Sequence, residues 1–157
     1  GYVFFDFVKK NRTDSVTPLL RKEIFEKAGY FNPKFKISED WDFWRRASYY
    51  YKFYAINEVL AFVRKHQTNM TNIAYNSVFD RITMFQKVTD SLLLWGNDKF
   101  SKEEKKRIKK IEAQEYKRLI TNNYPNHKNK LTFITSNFIK KPITTTKILF
   151  SLFRHSH

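Results

Sequence analysis

Three carboxylates and two indoles stand within seven residues of this chain, at 38–44, where the sequence reads Ser-Glu-Asp-Trp-Asp-Phe-Trp. Asp40 directly precedes Trp41, so an acid lies beside a flat apolar side chain. A carboxylate can take the proton of a hydroxyl group, and an aromatic ring can stack on the C–H face of a pyranose. The segment therefore indicates a site that binds a sugar and deprotonates one of its hydroxyl groups. The alternative interpretation is an amphipathic helix with core tryptophans and a solvated acidic edge.

The flanking segments predict the elements that would position this acid. Ile24, Phe25 and Ala28 share one face of a short helix predicted within 20–32, and Gly29 stands where a helix ends in a left-handed turn. Downstream, 51–56 and 60–64 are predicted as strands. The second of these leads into an Arg-x-His-x-x-Asn-x-Thr block at 64–71.

Three sequence blocks follow one another: the helix that ends at Gly29, the acidic and aromatic segment at 38–44, and the Arg-x-His-x-x-Asn-x-Thr segment at 64–71. Their order resembles the acceptor half of a family 2 glycosyltransferase, over roughly Asn11 to Thr71. The resemblance implies an α/β fold, namely the C-terminal portion of a GT-A (nucleotide-diphospho-sugar transferase) fold. It also implies an inverting enzyme that transfers a sugar from a nucleotide-sugar donor to a glycan or lipid-linked acceptor, in bacterial cell-surface polysaccharide synthesis. Tyr30 departs from the family pattern, which usually has a second glycine there.

The resemblance also implies roles for individual residues. Asp40 matches the general base that takes the proton of the acceptor hydroxyl. Glu39 and Trp41 match residues that bind the acceptor. Arg64 and His66 match positions near the donor diphosphate or its metal. Each has a structural alternative: Asp40 could interact only with the helix dipole, Glu39 could be a surface acid, and His66 could be structural.

The other polar residues of the same segment are predicted to be structural. Asp42, Arg45 and Arg46 are predicted to form a solvated helical face that includes an ion pair three or four residues apart. Trp44 is predicted to lie in the core.

The donor side of such an enzyme has no counterpart in this sequence. The family holds Mn²⁺ or Mg²⁺ with an Asp-x-Asp motif, which follows a nucleotide-binding half. The one Asp-x-Asp here is Asp40-Trp41-Asp42, inside the acceptor motif. We therefore expect the divalent cation of the complete enzyme to be bound mostly outside this chain, and we expect the isolated chain to be inactive.

The chain divides into two predicted parts at residue 75. The resemblance implies that 1–75 is the acceptor-side half of the GT-A catalytic domain, whereas charge and periodicity predict that 76–157 is a basic helical extension. The formal net charge is +15, of which +10 falls in 76–157, and no acid follows Glu115. Apolar residues at three- and four-residue spacing predict a helix over 76–94. Ser101 and Glu104 form a capping-box pattern for a second helix, which breaks at 124–126.

Basic and aromatic residues alternate in the tail, 131–157, which is typical of segments that contact an anionic membrane surface. A last helix docked on the domain is the alternative. These features predict a cytoplasmic protein, peripheral on the inner face of the cell membrane. A second function class is a non-catalytic basic module for nucleic acid or anionic membranes. The sequence contains no motif that supports nucleic-acid binding. Because it contains no cysteine, chemistry by a thiolate is excluded.

Overall fold

A computed structural model describes residues 1–64, Asn69, 77–138 and 142–153, and within these ranges all regular secondary structure is helical. The first half contains three helices, α1 (Phe4–Lys9), α2 (Ile24–Ala28) and α3 (Glu39–Tyr50). The second half contains four, α4 (Val78–Trp95), α5 (Lys102–Asn123), α6 (His127–Phe138) and α7 (Pro142–Phe153).

The predicted α/β fold, the C-terminal portion of a GT-A fold, is wrong, because the described residues contain neither strand nor sheet. The predicted division of the chain at residue 75 stays a prediction. The predicted strands at 51–56 and 60–64 are irregular. Among the described residues their backbone pairs with a distant segment only at Phe53. Its N–H donates to the Gly1 carbonyl at 2.8 Å, and its carbonyl accepts from the Gly1 amino group. Residues of high β-propensity form a strand only where neighbouring strands supply partners, and here Tyr54 and Phe62 stay exposed.

The helices predicted from local signals are confirmed. The apolar stripe of α4 is buried as expected, and its N-cap Ser77 accepts a hydrogen bond from the Asp80 amide. The capping box at the start of α5 is complete, since Ser101 and Glu104 each accept from the other's backbone amide. Gly29 ends α2 with a φ of 75°, in the region that favours glycine. Each signal lies within a few residues of the helix end that it predicts.

Apolar side chains from both halves share the same core. Phe4 and Val8 of α1 pack with Leu92 of α4 and Ile108 of α5. Trp41 of α3 packs against the cluster formed by α4, α5, α6 and α7. Helices α1 and α3 are therefore seated on α4 and α5, and this packing fixes the orientation of α3, whose first turn carries Asp40.

The described part of the tail packs on the same core. Phe133 and Ile134 of α6 and Ile148 of α7 are buried in the cluster with α4 and α5. In the described ranges, no helix combines the length and the apolar character needed to cross a membrane. Contact of 131–157 with a membrane surface stays a prediction.

Candidate functional site

The first turn of α3 carries the carboxylate that the sequence singled out. Ser38, the N-cap, has a φ of 66°, and Glu39 begins the helix. The Oδ2 atom of Asp40 accepts hydrogen bonds from Asn11 Nδ2 at 3.1 Å and from Ser15 Oγ at 3.2 Å. Its Oδ1 atom accepts from the Trp41 amide at 2.6 Å. The three hydrogen bonds hold both carboxylate oxygens. Because Asp40 is half-buried, part of its side chain still faces solvent.

The loop after α1 supplies the two side chains that bind Asp40. Hydrogen bonds between residues close in sequence organise this loop. The Thr13 and Thr17 hydroxyl oxygens lie 2.7 Å apart, and the Thr17 amide donates to the Asp14 carbonyl at 3.2 Å. Sequence reasoning missed Asn11 and Ser15 as partners of Asp40. They lie 29 and 25 residues from it, and no periodicity or motif in the sequence connects them.

All the donors on Asp40 are neutral. In the described part of the chain its carboxylate has no ion pair, whereas Asp6, Asp42 and Asp90 are each paired with a cation. Neutral donors fix the direction of a carboxylate and leave its negative charge uncompensated. The amino end of α3 contributes its positive dipole to the same place. The carboxylate is thus held in one orientation by three donors, as a general base must be.

The two predicted acceptor-binding neighbours have different surroundings. Glu39 is half-buried, and its side chain has no hydrogen-bond or ion-pair partner within the described ranges. Trp41 is also half-buried, but its Nε1 donates to the Phe7 carbonyl at 2.7 Å. Its ring meets the Phe85 ring edge-on at 5.2 Å. The indole therefore holds α3 against α1 and α4, and binding of an acceptor by its remaining surface stays a prediction.

Arg64 and His66 are not brought to Asp40 by any described contact. Arg64 is exposed, and its carbonyl accepts a hydrogen bond from Asn69 Nδ2 at 3.3 Å. His66 lies outside the described residues. Their predicted approach to a donor diphosphate therefore remains a prediction.

The predicted solvated face of α3 is wrong, because Asp42, Arg45 and Arg46 are all buried. Asp42 and Arg46 do form the expected pair, four residues apart, with Oδ2 and Nη2 separated by 2.9 Å. The Arg46 guanidinium also donates to the carbonyls of Ala28 and Tyr30 at the end of α2. A charged group can be buried where such partners satisfy its hydrogen bonds. Here the buried Arg46 guanidinium caps the end of α2.

Arg45 performs the same task for α1. Its guanidinium donates to the Phe7 carbonyl at 3.2 Å, to the Val8 carbonyl at 2.5 Å and to Thr89 Oγ1 at 3.2 Å. Desolvation lowers the pKa of Arg45 to about 9, although the negative charges of Asp42 and Glu112 oppose the change. Arg45 and Trp41 both donate to carbonyls in the last turn of α1 and so fix the end of that helix. The loop that binds Asp40 starts directly after α1, so the same contacts fix where this loop begins.

The described ranges contain no group of three or more histidine, cysteine, aspartate or glutamate side chains that could hold a metal ion. Binding of the divalent cation mostly outside this chain stays a prediction. In the Asp40-Trp41-Asp42 sequence, Asp40 is bound by the loop and Asp42 by Arg46, so the two carboxylates serve different partners.

Comparison of the chain with protein-family models, with curated proteins and with solved structures gave no match. The resemblance to family 2 glycosyltransferases therefore rests on the three sequence blocks alone. The geometry of Asp40 is an independent observation, and it does not depend on that resemblance.

Proposed function

We propose that this chain carries the acceptor side of a glycosyltransferase, in which the Asp40 carboxylate takes the proton of the acceptor hydroxyl as that oxygen attacks the sugar. The observation that carries the proposal is the hydrogen bonding of Asp40: Asn11, Ser15 and the Trp41 amide all donate to it. The carboxylate is held in place without an ion pair in the described part of the chain.

A general base must be unprotonated, reachable and fixed within hydrogen-bond distance of the proton it takes. Half-burial makes Asp40 reachable, and the three donors fix it. The buried acids of the described ranges are already committed: Asp42 to Arg46, Glu112 to Tyr116 and Lys109, and Glu115 to Arg118. Glu39 is half-buried like Asp40, but within the described ranges no donor fixes its carboxylate, so Asp40 is the better oriented of the two neighbouring acids.

The rest of the reaction follows from the resemblance and belongs to the same proposal. Attack by the deprotonated hydroxyl on the anomeric carbon, opposite the departing nucleoside diphosphate, inverts the configuration of the sugar. The donor is a nucleotide sugar, and the acceptor is a glycan or a lipid-linked glycan of a bacterial surface polysaccharide. Glu39 and the free surface of Trp41 would contact the acceptor.

The test compares Asp40→Asn with Asp80→Asn in the protein expressed from its native reading frame. Asp80 is the matched control, because it also lies in the first turn of a helix and accepts a serine hydroxyl, Ser77 Oγ, at 2.7 Å. Nucleoside diphosphate release is measured with a panel of nucleotide sugars and surface-glycan acceptors. We expect Asp40→Asn to reduce kcat by about 10²-fold or more, as loss of a general base does, and Asp80→Asn to retain activity.

The asparagine variant keeps the shape of the side chain, so its fold can be verified by circular dichroism and thermal unfolding. A wild-type protein that transfers none of the panel sugars contradicts the proposal. So does an Asp40→Asn variant as active as the Asp80→Asn control.

A further inference from the structure

An open cavity of about 480 Å³ lies between α1 and α5. Phe5 of α1 and Ile111 of α5 supply its apolar wall, next to the core cluster that joins the two helices. The polar lining comes from Asp6, Lys9, Arg107, Lys110 and Gln114. A volume of this size is in the range of cavities that bind one small molecule, roughly 300–1,000 Å³.

The helical repeat explains why cations gather there. Arg107, Lys110 and Gln114 of α5 are spaced three and four residues apart, so they stand along one face of the helix. Lys9 faces them from the last turn of α1. Three cations from two helices therefore converge on a single cavity.

The guanidinium of Arg107 is held by stacking. Its carbon lies 3.7 Å from the centroid of the Phe5 ring, a distance typical of a cation–π contact. This contact restrains the Arg107 side chain, which is exposed, so its N–H groups are accessible to a ligand. A planar guanidinium binds phosphate oxygens in pairs.

The cations of this cavity are not neutralised by the protein. Asp6, the one acid in the lining, pairs with Arg12 outside it at 3.4 Å. Within the described ranges Lys9, Arg107 and Lys110 form no ion pair, whereas Lys109 of the same helix contacts both Asp90 and Glu112. With three cations and one acid, the lining carries a net charge of +2.

We propose that this cavity binds a small phosphate-bearing molecule, with its phosphate oxygens on Arg107, Lys110 and Lys9. The net charge of the lining matches a phosphate dianion. The stacked guanidinium supplies paired donors, and the apolar wall of Phe5 and Ile111 accommodates the carbon part of the ligand. This site is separate from the proposed chemistry of Asp40.

Calorimetric titration with inorganic pyrophosphate tests the site. The cavity variant combines Arg107→Gln with Lys110→Gln. The control variant combines Lys102→Gln with Lys106→Gln, which are exposed on the same helix and do not line the cavity. Both variants lose two positive charges, so long-range attraction of an anion falls equally in the two.

We expect saturable binding of pyrophosphate to the wild-type chain, at least a tenfold weaker Kd in the cavity variant, and less than a threefold change in the control. An Asp40→Asn variant should bind pyrophosphate as the wild type does, which separates this site from the proposed catalytic one. The assignment would be overturned if the wild type showed no saturable binding of pyrophosphate. Equal weakening of pyrophosphate binding in the cavity variant and the control variant would also overturn it.

Discussion

Different kinds of interaction stabilise the two halves of the molecule. In the second half, α4 and α5 bury apolar residues at helical spacing and begin with serine caps that lie next to the residues they satisfy. In the first half, the short helices α1 and α2 end on carbonyls that two arginines of α3 satisfy from 16 to 38 residues away. The helices of the second half combine local caps with apolar packing against one another, whereas the short helices of the first half also depend on buried polar contacts between distant segments.

Replacing Arg46 with methionine should produce the largest loss of stability. The change removes the cap of α2 and leaves Asp42, which is 1% exposed, as a buried carboxylate without its cation. Breaking a buried ion pair on one side costs about 4 kcal/mol. Urea unfolding measures the loss, with the exposed Arg81→Met as the control, expected to stay within about 0.5 kcal/mol of wild type. Equal stability of the two variants would contradict the role assigned to Arg46.

The next largest effect is expected for Arg45→Met. Methionine fills part of the volume but donates no hydrogen bond, so the Val8 carbonyl and the Thr89 hydroxyl lose a partner. Loss of hydrogen bonds from a buried charged group should cost about 3 kcal/mol in the free energy of unfolding. Urea unfolding that shows wild-type stability would mean that the hydrogen bonds of Arg45 do not stabilise the packing of α1 against α3.

A local device of the second half should cost less. Ser101→Ala removes the side-chain half of the capping box at the start of α5, where Ser101 Oγ accepts the Glu104 amide at 3.1 Å. N-cap serine to alanine costs about 1 kcal/mol. Thermal unfolding compared with that of Arg46→Met checks the ranking. A loss as large as that of the arginine variant would remove the distinction between the halves.

The second half also contains a buried polar contact between two side chains of α5, and its pH dependence sharpens the comparison. Tyr116 donates to Glu112 Oε1 at 2.8 Å, and burial raises the pKa of Tyr116 well above its usual value. In the unfolded chain tyrosine loses its proton near pH 10. Above that pH the unfolded state binds fewer protons than the folded one, so stability falls as pH rises.

Tyr116→Phe should therefore lower stability by about 1 kcal/mol at pH 7, and its stability should fall less steeply than that of the wild type above about pH 10. Thermal unfolding at several pH values between 7 and 11 provides the measurement. Parallel curves for the two proteins would show that the Tyr116 hydroxyl does not titrate differently in the folded and unfolded states.

The same contrast explains what the sequence could predict. The stripe at Val78, Ile82 and Phe85 and the capping box at Ser101 are local patterns, and the structure contains both as expected. Burial of Arg45 and Arg46 was not predictable, because it depends on carbonyls of two helices that lie far away in the chain. The strands predicted at 51–56 and 60–64 failed for a related reason, since strand formation depends on partners that the local sequence does not reveal.

The candidate site divides in the same way. Asp40 could be singled out from its type and neighbours, and it does lie in the first turn of a helix. Its partners Asn11 and Ser15 could not be, because a polar loop gives no signal about the side chain that it will bind. Local sequence thus identified the candidate base, and tertiary packing determined how it is held.

The most direct test of the proposed base is a comparison of kcat and KM in the protein expressed from its native reading frame. Asp40→Asn should reduce kcat by about 10²-fold or more, with the acceptor KM unchanged, because the proton acceptor is lost while the binding surface stays. The double variant of Asn11→Ala and Ser15→Ala should reduce kcat by a smaller factor, about tenfold, because it misorients a base that is still present. An unchanged kcat in Asp40→Asn, or a loss confined to KM, would contradict the assignment of Asp40 as the general base.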